Sequence, residues 1–209
     1  MKPTQAEAHT LFTIGHSTHE ITELLYLLQL HNVTAVADVR SYPYSQRSPQ
    51  FNREGLSAVL QKVGLAYVFL GKELGGRSGD PGHYVNGKVA YERVAASALF
   101  ADGIERLLKG LQRYSIALLC AEKDPLFCHR TILVSRHVRG HGVSIAHILE
   151  DGTIETQEAV EGRLLRMWGL DQPNIFSNRD ELLDRAYELQ GERIAFAKLP
   201  AQMQEEPTG

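Results

Sequence analysis

Ser115-Ile116-Ala117-Leu118-Leu119-Cys120, then Ala121-Glu122-Lys123-Asp124-Pro125-Leu126-Phe127-Cys128-His129-Arg130, then Thr131 to Arg139: this stretch decides the fold class. The first six residues are a short apolar run, the pattern of a buried strand. Asp124-Pro125 then reads as a helix start, with Asp124 as cap and Pro125 at the first helical position. The helix so begun carries Cys128, His129 and Arg130 about one turn in and ends at Gly140 or Gly142. Strand, loop and helix in this order are the repeating unit of a parallel sheet. Both cysteines of the chain, a glutamate, a histidine and an arginine fall beyond the carboxyl end of that strand. Open α/β sheets hold their ligands there.

The same alternation extends in both directions. Strands are expected at Leu11–Ile14, Val33–Val39, Leu65–Leu70 and Val143–Ile148, the last closing on a turn at Glu150-Asp151-Gly152, with helices after Thr18, which reads as a cap, and over Glu54–Val63, Tyr91–Gln112, Thr156–Trp168 and Asn178–Gly191. The fold expected is an α/β three-layer sandwich with a mostly parallel sheet of about five strands, plus C-terminal helices. Residues 1–9 read as a disordered tail, 10–168 as a single α/β domain, 169–199 as a C-terminal helical appendage and 200–209 as a second disordered tail. Gly71 to Gly87 holds six glycines and one proline and fits no regular element, which predicts a functional lid or a mobile segment.

Composition narrows the function classes. The 209 residues are 43% hydrophobic and 22% charged, ordinary for a globular domain with a good core. A net charge of −3 argues against a broad nucleic-acid-coating surface, though not against a local basic groove. No apolar run is long enough to span a bilayer, and Met1 to His9 lacks the apolar core of a signal peptide. With two cysteines, a reduced, cytoplasmic protein without a membrane partner is expected.

The strand ends supply a candidate site. They carry His16, Ser17 and Thr18; Asp38, Arg40, Ser41 and Tyr42; Gly71 and its loop; Cys120 and Glu122; and His147. Glu122 or Asp38 is the candidate acid or base, with His16 and His129 as polarising or proton-transfer groups. Arg40 and Arg130 are the candidate anion holders, joined at the substrate by Ser17, Tyr42, Ser45 and Cys128. Arg130 near the positive end of a helix dipole is unfavourable without an anion nearby, which a ligand phosphate, Glu122 or Asp38 would supply. Arg40, Arg47 and Arg53 alternate with Tyr42, Tyr44 and Phe51, cations for phosphate and rings for stacking.

Cys128 beside His129 near a helix start fits a nucleophile, but a small buried side chain is the favoured reading. Zinc is the other use of Cys120, Cys128 and His129, although the eight-residue step between the cysteines is not a zinc-knuckle spacing. No other cofactor is expected. A phosphatase loop starting at Cys120 fails, because its arginine would fall at Leu126. Walker-type and dinucleotide glycine signatures are absent.

Several of these runs also occur together in a known family. Thr13-Ile14-Gly15-His16-Ser17, Asp38-Val39-Arg40 with Pro43 and Ser45, Phe51-Asn52, Leu119-Cys120-Ala121-Glu122, Cys128-His129-Arg130, and His147-Ile148 with Asp151-Gly152 resemble the bacterial and archaeal family called domain of unknown function 488. The resemblance spans roughly residues 11 to 155. It implies an α/β domain with these positions in one site, and it supplies no reaction. The function expected is an enzyme with hydrolase- or transferase-like acid–base chemistry. Its partner would be a nucleotide or another small phosphate-bearing ligand at the carboxyl edge of the sheet. The alternatives are a non-catalytic nucleic-acid-binding module and a metal-binding or partner-binding scaffold.

Overall fold

The apolar runs at 35–37 and 116–120 become interior strands, since only a strand covered on both faces is apolar on both. The computed structural model describes residues 9–172 and 178–198. Along the chain lie β1 (Thr10–Gly15), α1 (Ile21–Leu30), β2 (Ala35–Asp38), α2 (Arg53–Lys62), β3 (Ala66–Phe69) and α3 (Gly71–Leu74). Then come β4 (Tyr84–Val85), β5 (Lys88–Val89), α4 (Tyr91–Ala95), α5 (Ala98–Leu111) and β6 (Ile116–Cys120). A π-helical stretch, Arg130–Ser135, runs into α6 (Arg136–Val138), followed by β7 (Ser144–Ile148), β8 (Ile154–Thr156), α7 (Gln157–Met167) and α8 (Arg179–Ile194). The two expected tails, 1–9 and 200–209, lie outside the described residues except for His9.

The main sheet has the order β3-β2-β6-β1-β7-β8. Its first five strands are parallel, and β8 pairs antiparallel with β7. Leu24, Leu27 and Leu28 of α1 and Leu56 and Leu60 of α2 cover one face, against Ile14, Val36, Ala117 and Leu119. The other face carries α5, the Arg130–Val138 helix, α7 and α8, the last through Leu183, Ala186 and Tyr187. This is the expected three-layer α/β sandwich. Among the described residues no helix is long and apolar enough to cross a membrane.

Four local expectations change. The turn at Glu150-Asp151-Gly152 is a hairpin that adds β8 as a sixth strand. Gly152 supplies φ +83°, and Leu149 N–H donates to Thr153 O at 2.9 Å. The 71–87 segment is structured: it holds α3, a turn at Pro81–His83 capped by Asp80, and the β4–β5 ribbon. Asn86 and Gly87 both have positive φ, the turn that an Asn-Gly pair favours in a two-residue hairpin. The helix expected over 91–112 breaks at Ser97, whose side chain accepts from Phe100 N–H and starts α5. Thr18 does not cap α1, which begins after Glu20 without a side-chain cap.

Polar groups buried under α7 and α8 form one directed chain. Arg130 Nε–H donates to Thr13 Oγ1, whose hydroxyl donates to His147 Nδ1 at 2.8 Å. His147 Nε2–H donates to Gln157 Oε1 at 2.9 Å, and Gln157 Nε2 donates to Tyr187 Oη and Glu161 Oε1. Tyr187 donates to the same Glu161 oxygen, which is paired with Arg139. A second proton on His147 would face the Thr13 hydroxyl proton. Burial first, and then the Arg130 charge, lower its pKa to about 4. His147 therefore serves the core rather than the strand-end site.

With a folded pKa below the unfolded value, the contribution of His147 is complete above pH 6.5 and is lost as the pH falls toward 4. By urea unfolding, the stability gap between the wild type and His147→Gln is expected to shrink by about 2 kcal/mol from pH 7 to pH 5. A gap constant across that window would contradict this assignment.

Candidate functional site

β1 and β6 are neighbours, in register Gly15 against Cys120, and their following helices leave to opposite faces of the sheet. A crevice forms at such a switch point, beyond the carboxyl ends of the strands. It is a cavity of about 440 Å³. Its floor is Cys120, Glu122 and His129. Around it the lining includes Arg40, Tyr42, Tyr44, Ser45 and Arg47 from the segment after β2, and Gly76, Arg77, Phe127, Ile194 and Phe196.

Close backbone approach builds the crevice. His16 N–H donates to Cys120 O and Ser17 N–H to Ala121 O, both at 2.9 Å, so the two strand-end loops stay zipped. A Cβ on Gly15 would lie 1.9 Å from Glu122 O, so only glycine fits there. Ser17, on the cavity wall, is held at φ +46°, a strained conformation for a residue with a Cβ. The glycine segment is a packed wall rather than a lid. A Cβ on Gly76 would meet the His129 ring at 2.8 Å, and Ser41 Oγ accepts Arg77 N–H at 2.8 Å.

Asp38 holds Arg40. Fully buried, it accepts from Arg40 Nε (2.9 Å), Nη2 (2.6 Å) and backbone N–H (3.1 Å), and from Tyr67 Oη–H (2.8 Å). This two-pronged pair fixes the guanidinium plane and leaves Nη1 directed at His16 Nε2, 3.4 Å away. His16 Nδ1–H donates to Ser17 O, so Nε2 carries the lone pair. Burial, then the Arg40 charge, lower the His16 pKa to about 4, and the neutral ring stacks on Phe51 at 4.3 Å.

The floor is a cluster of four ionisable groups. Cys120 Sγ and Cys128 Sγ each lie 3.0 Å from Glu122 Oε2, and Cys120 Sγ lies 3.6 Å from His129 Nδ1. All four ligand-type atoms fall within 4.8 Å of one another, so these residues could hold a metal ion. His129 Nε2–H donates to Val39 O at 2.9 Å, which turns Nδ1 toward the sulfurs.

Burial pushes both thiols up, and the neighbouring Cys128 raises Cys120 further. For Cys128 the hydrogen bond with Cys120, the Arg130 charge and His129 overcome burial and bring its pKa well below the ordinary thiol value. Burial of the carboxyl tip, then the Cys128 charge, raise Glu122, although the residue as a whole is exposed. Burial depresses His129, but Cys128 and Glu122 outweigh it and raise its pKa.

The cleft brings together His16, Ser17, Arg40, Tyr42, Ser45, Cys120, Glu122 and His129. Asp38, Cys128 and Arg130 stand behind its surface. Arg130 is a correction to the expected anion holder. It is fully buried and donates to Glu122 O at 2.5 Å, Lys123 O at 3.1 Å and Thr13 Oγ1 at 3.3 Å. The helix-dipole expectation fails because Asp124 caps only the short turn Pro125–Phe127. Cys128 is extended (φ −133°, ψ 138°), and the helix proper starts at Arg130. The same kink lets consecutive residues Cys128 and His129 reach one cluster. Sequence reasoning missed Arg77, Phe127, Ile194 and Phe196. Arg77 carried a signal, a cation inside a glycine run, whereas nothing local marks Ile194 at the end of α8 or Phe196 beyond it.

The fold and the site are thus an α/β domain with an arginine-lined crevice at a switch point of its sheet. The profile described as "Domain of unknown function DUF488" matches residues 20–137, more than half of the chain, and the chain belongs to that family. No curated protein and no solved structure matches it. The matched span contains Asp38, Arg40, Cys120, Glu122, Cys128 and His129 but stops short of His147.

The fork predicts an asymmetry between two cleft-associated residues. Asp38→Ala leaves Arg40 buried without a partner and is expected to cost about 3–5 kcal/mol in urea unfolding. Arg47→Ala, at an exposed position, is expected to shift stability by less than about 0.5 kcal/mol. Equal effects would show that the Asp38–Arg40 pair does not brace the wall.

Proposed function

We propose that this crevice is the active site of an enzyme for a small phosphate-bearing substrate of nucleotide type. One observation carries the reading. Arg40, Arg47 and Arg77 line a cavity of about 440 Å³ in a chain of net charge −3, and Glu122 is the one carboxylate among the described residues lining it. That volume lies within the range of small-ligand sites. Asp38 balances Arg40, whereas no carboxylate among the described residues pairs with Arg47 or Arg77, so the walls keep a positive excess. Tyr42 and Tyr44, with ring centroids 5.2 Å apart, offer an exposed aromatic surface for a base.

Chemistry falls to the floor. Glu122 is the cleft-lining carboxylate and the acid or base of the reading; Cys120 and His129 flank it. His16 is neutral and serves to orient Arg40 rather than to carry protons near pH 7. The reaction class is hydrolytic or group-transfer.

Titration calorimetry with inorganic phosphate, AMP and ATP tests the reading. Binding of at least one of these to the wild type is expected, with affinity falling at least about tenfold in the Arg47→Ala/Arg77→Ala double variant. Glu122→Gln is expected to keep that affinity while any turnover of the bound nucleotide falls by about a hundredfold or more. No binding of any of the three, or wild-type affinity in the double arginine variant, would overturn it.

A further inference from the structure

We propose that Cys120, Cys128, His129 and Glu122 form a Zn²⁺ site in the floor of the crevice. The donor set comes first. Two sulfurs, an imidazole nitrogen and a carboxylate oxygen converge within 4.8 Å. A tetrahedral zinc site with bonds of about 2.0–2.3 Å needs ligand–ligand edges of about 3.3–3.8 Å. Three of the six edges of the cluster are 3.0, 3.0 and 3.6 Å and all six lie within 4.8 Å, so the two short edges to Glu122 call for an outward shift of its carboxylate on metal binding. That residue is exposed and free to make them, whereas the other three are fixed.

The outer contacts are those of a metal site. A ligating histidine usually donates its other ring N–H to a backbone carbonyl or carboxylate, which sets the tautomer and the aim of the free nitrogen. His129 does this through Val39 O, and the Gly76 backbone lies against its ring. Arg130 N–H points at Cys128 Sγ at 3.4 Å, a donor suited to a ligating thiolate. Two thiolates and one carboxylate would exceed a divalent cation by one charge. The Arg130 guanidinium, held by Glu122 O and Lys123 O, lies behind them to offset it.

Ligand softness selects the metal. Paired sulfurs with an imidazole disfavour Mg²⁺, Ca²⁺ and Mn²⁺, and a four-ligand compact cluster favours zinc. The eight-residue step that counts against a zinc knuckle has a structural reason here. The Pro125–Phe127 turn and extended Cys128 fold the chain back on the end of β6. A metal would enter from the crevice, whose floor Cys120, Glu122 and His129 line. The site needs only these four side chains and no phosphate ligand, but it shares Glu122 with the proposed chemistry: a Glu122 that holds zinc is not also the free acid or base.

The full chain, purified without added metal, is the sample for the test. Elemental analysis is expected to give about one zinc per chain. After chelation, Co²⁺ addition is expected to produce the near-ultraviolet charge-transfer band of cobalt–thiolate bonds. Cys128→Ser should cut that band by about half, and Cys120→Ser/Cys128→Ser should abolish it. Circular dichroism confirms that each variant is folded. Because core serines carry a folding risk, Glu122→Ala at its exposed position gives a second arm, with the band retained and Zn²⁺ affinity reduced at least about tenfold. Zinc below a tenth per chain together with no cobalt band in folded wild type would overturn the proposal. So would a band that survives loss of both cysteines, or a Cys120–Cys128 disulfide in the protein as purified.

Discussion

Arg130 is the side chain around which the crevice is organised. It is fully buried, and its guanidinium donates to the carbonyls of Glu122 and Lys123 and to Thr13. A buried cation must be compensated, and here backbone dipoles do much of it. Those bonds pin the loop after β6 at the position where Glu122 meets both thiols. The π-helical turn that begins at Arg130 is tied by Ser135 Oγ, which donates back to Arg130 O at 2.8 Å. Through Thr13 it also joins the His147–Gln157–Glu161 chain, so the floor of the crevice and the polar core beneath α7 and α8 share one anchor.

Two kinds of charge are thereby separated. Arg40, held by Asp38, and the exposed Arg47 and Arg77 face the cavity from its walls. The acidic and thiol groups gather at its base, with Arg130 behind them. Rigid elements hold these groups: β6 carries Cys120, the β2 end carries Asp38 and Arg40, and the glycine wall abuts His129.

The layered fold was legible because its signals are local and periodic. Ala35–Ala37 and Ile116–Cys120 are apolar on both faces, a pattern that only interior parallel strands sustain. Part of the crevice lining was also legible, since residues at strand ends must share one edge. What remained hidden depends on fine backbone geometry. The extended Cys128 is a two-angle change, yet it moves the helix start, unites Cys128 with His129 and turns Arg130 inward. Asn86-Gly87 did carry a hairpin signal within the glycine-rich segment, and the glycine count obscured it. Phe196 reaches the cavity only through tertiary packing of the chain beyond α8, which no spacing rule reveals.

An anion held by Arg40, Arg47 and Arg77, as proposed, would perturb the backbone amides around it. Backbone ¹H–¹⁵N NMR of the wild-type chain during titration with inorganic phosphate reports this residue by residue. Saturable shifts are expected at Arg40–Ser48, Gly76–Arg77 and Ala121–Glu122, with the far ends of β1 and β6 unmoved. Saturable shifts confined to other surfaces, with those amides unchanged up to saturation, would contradict it.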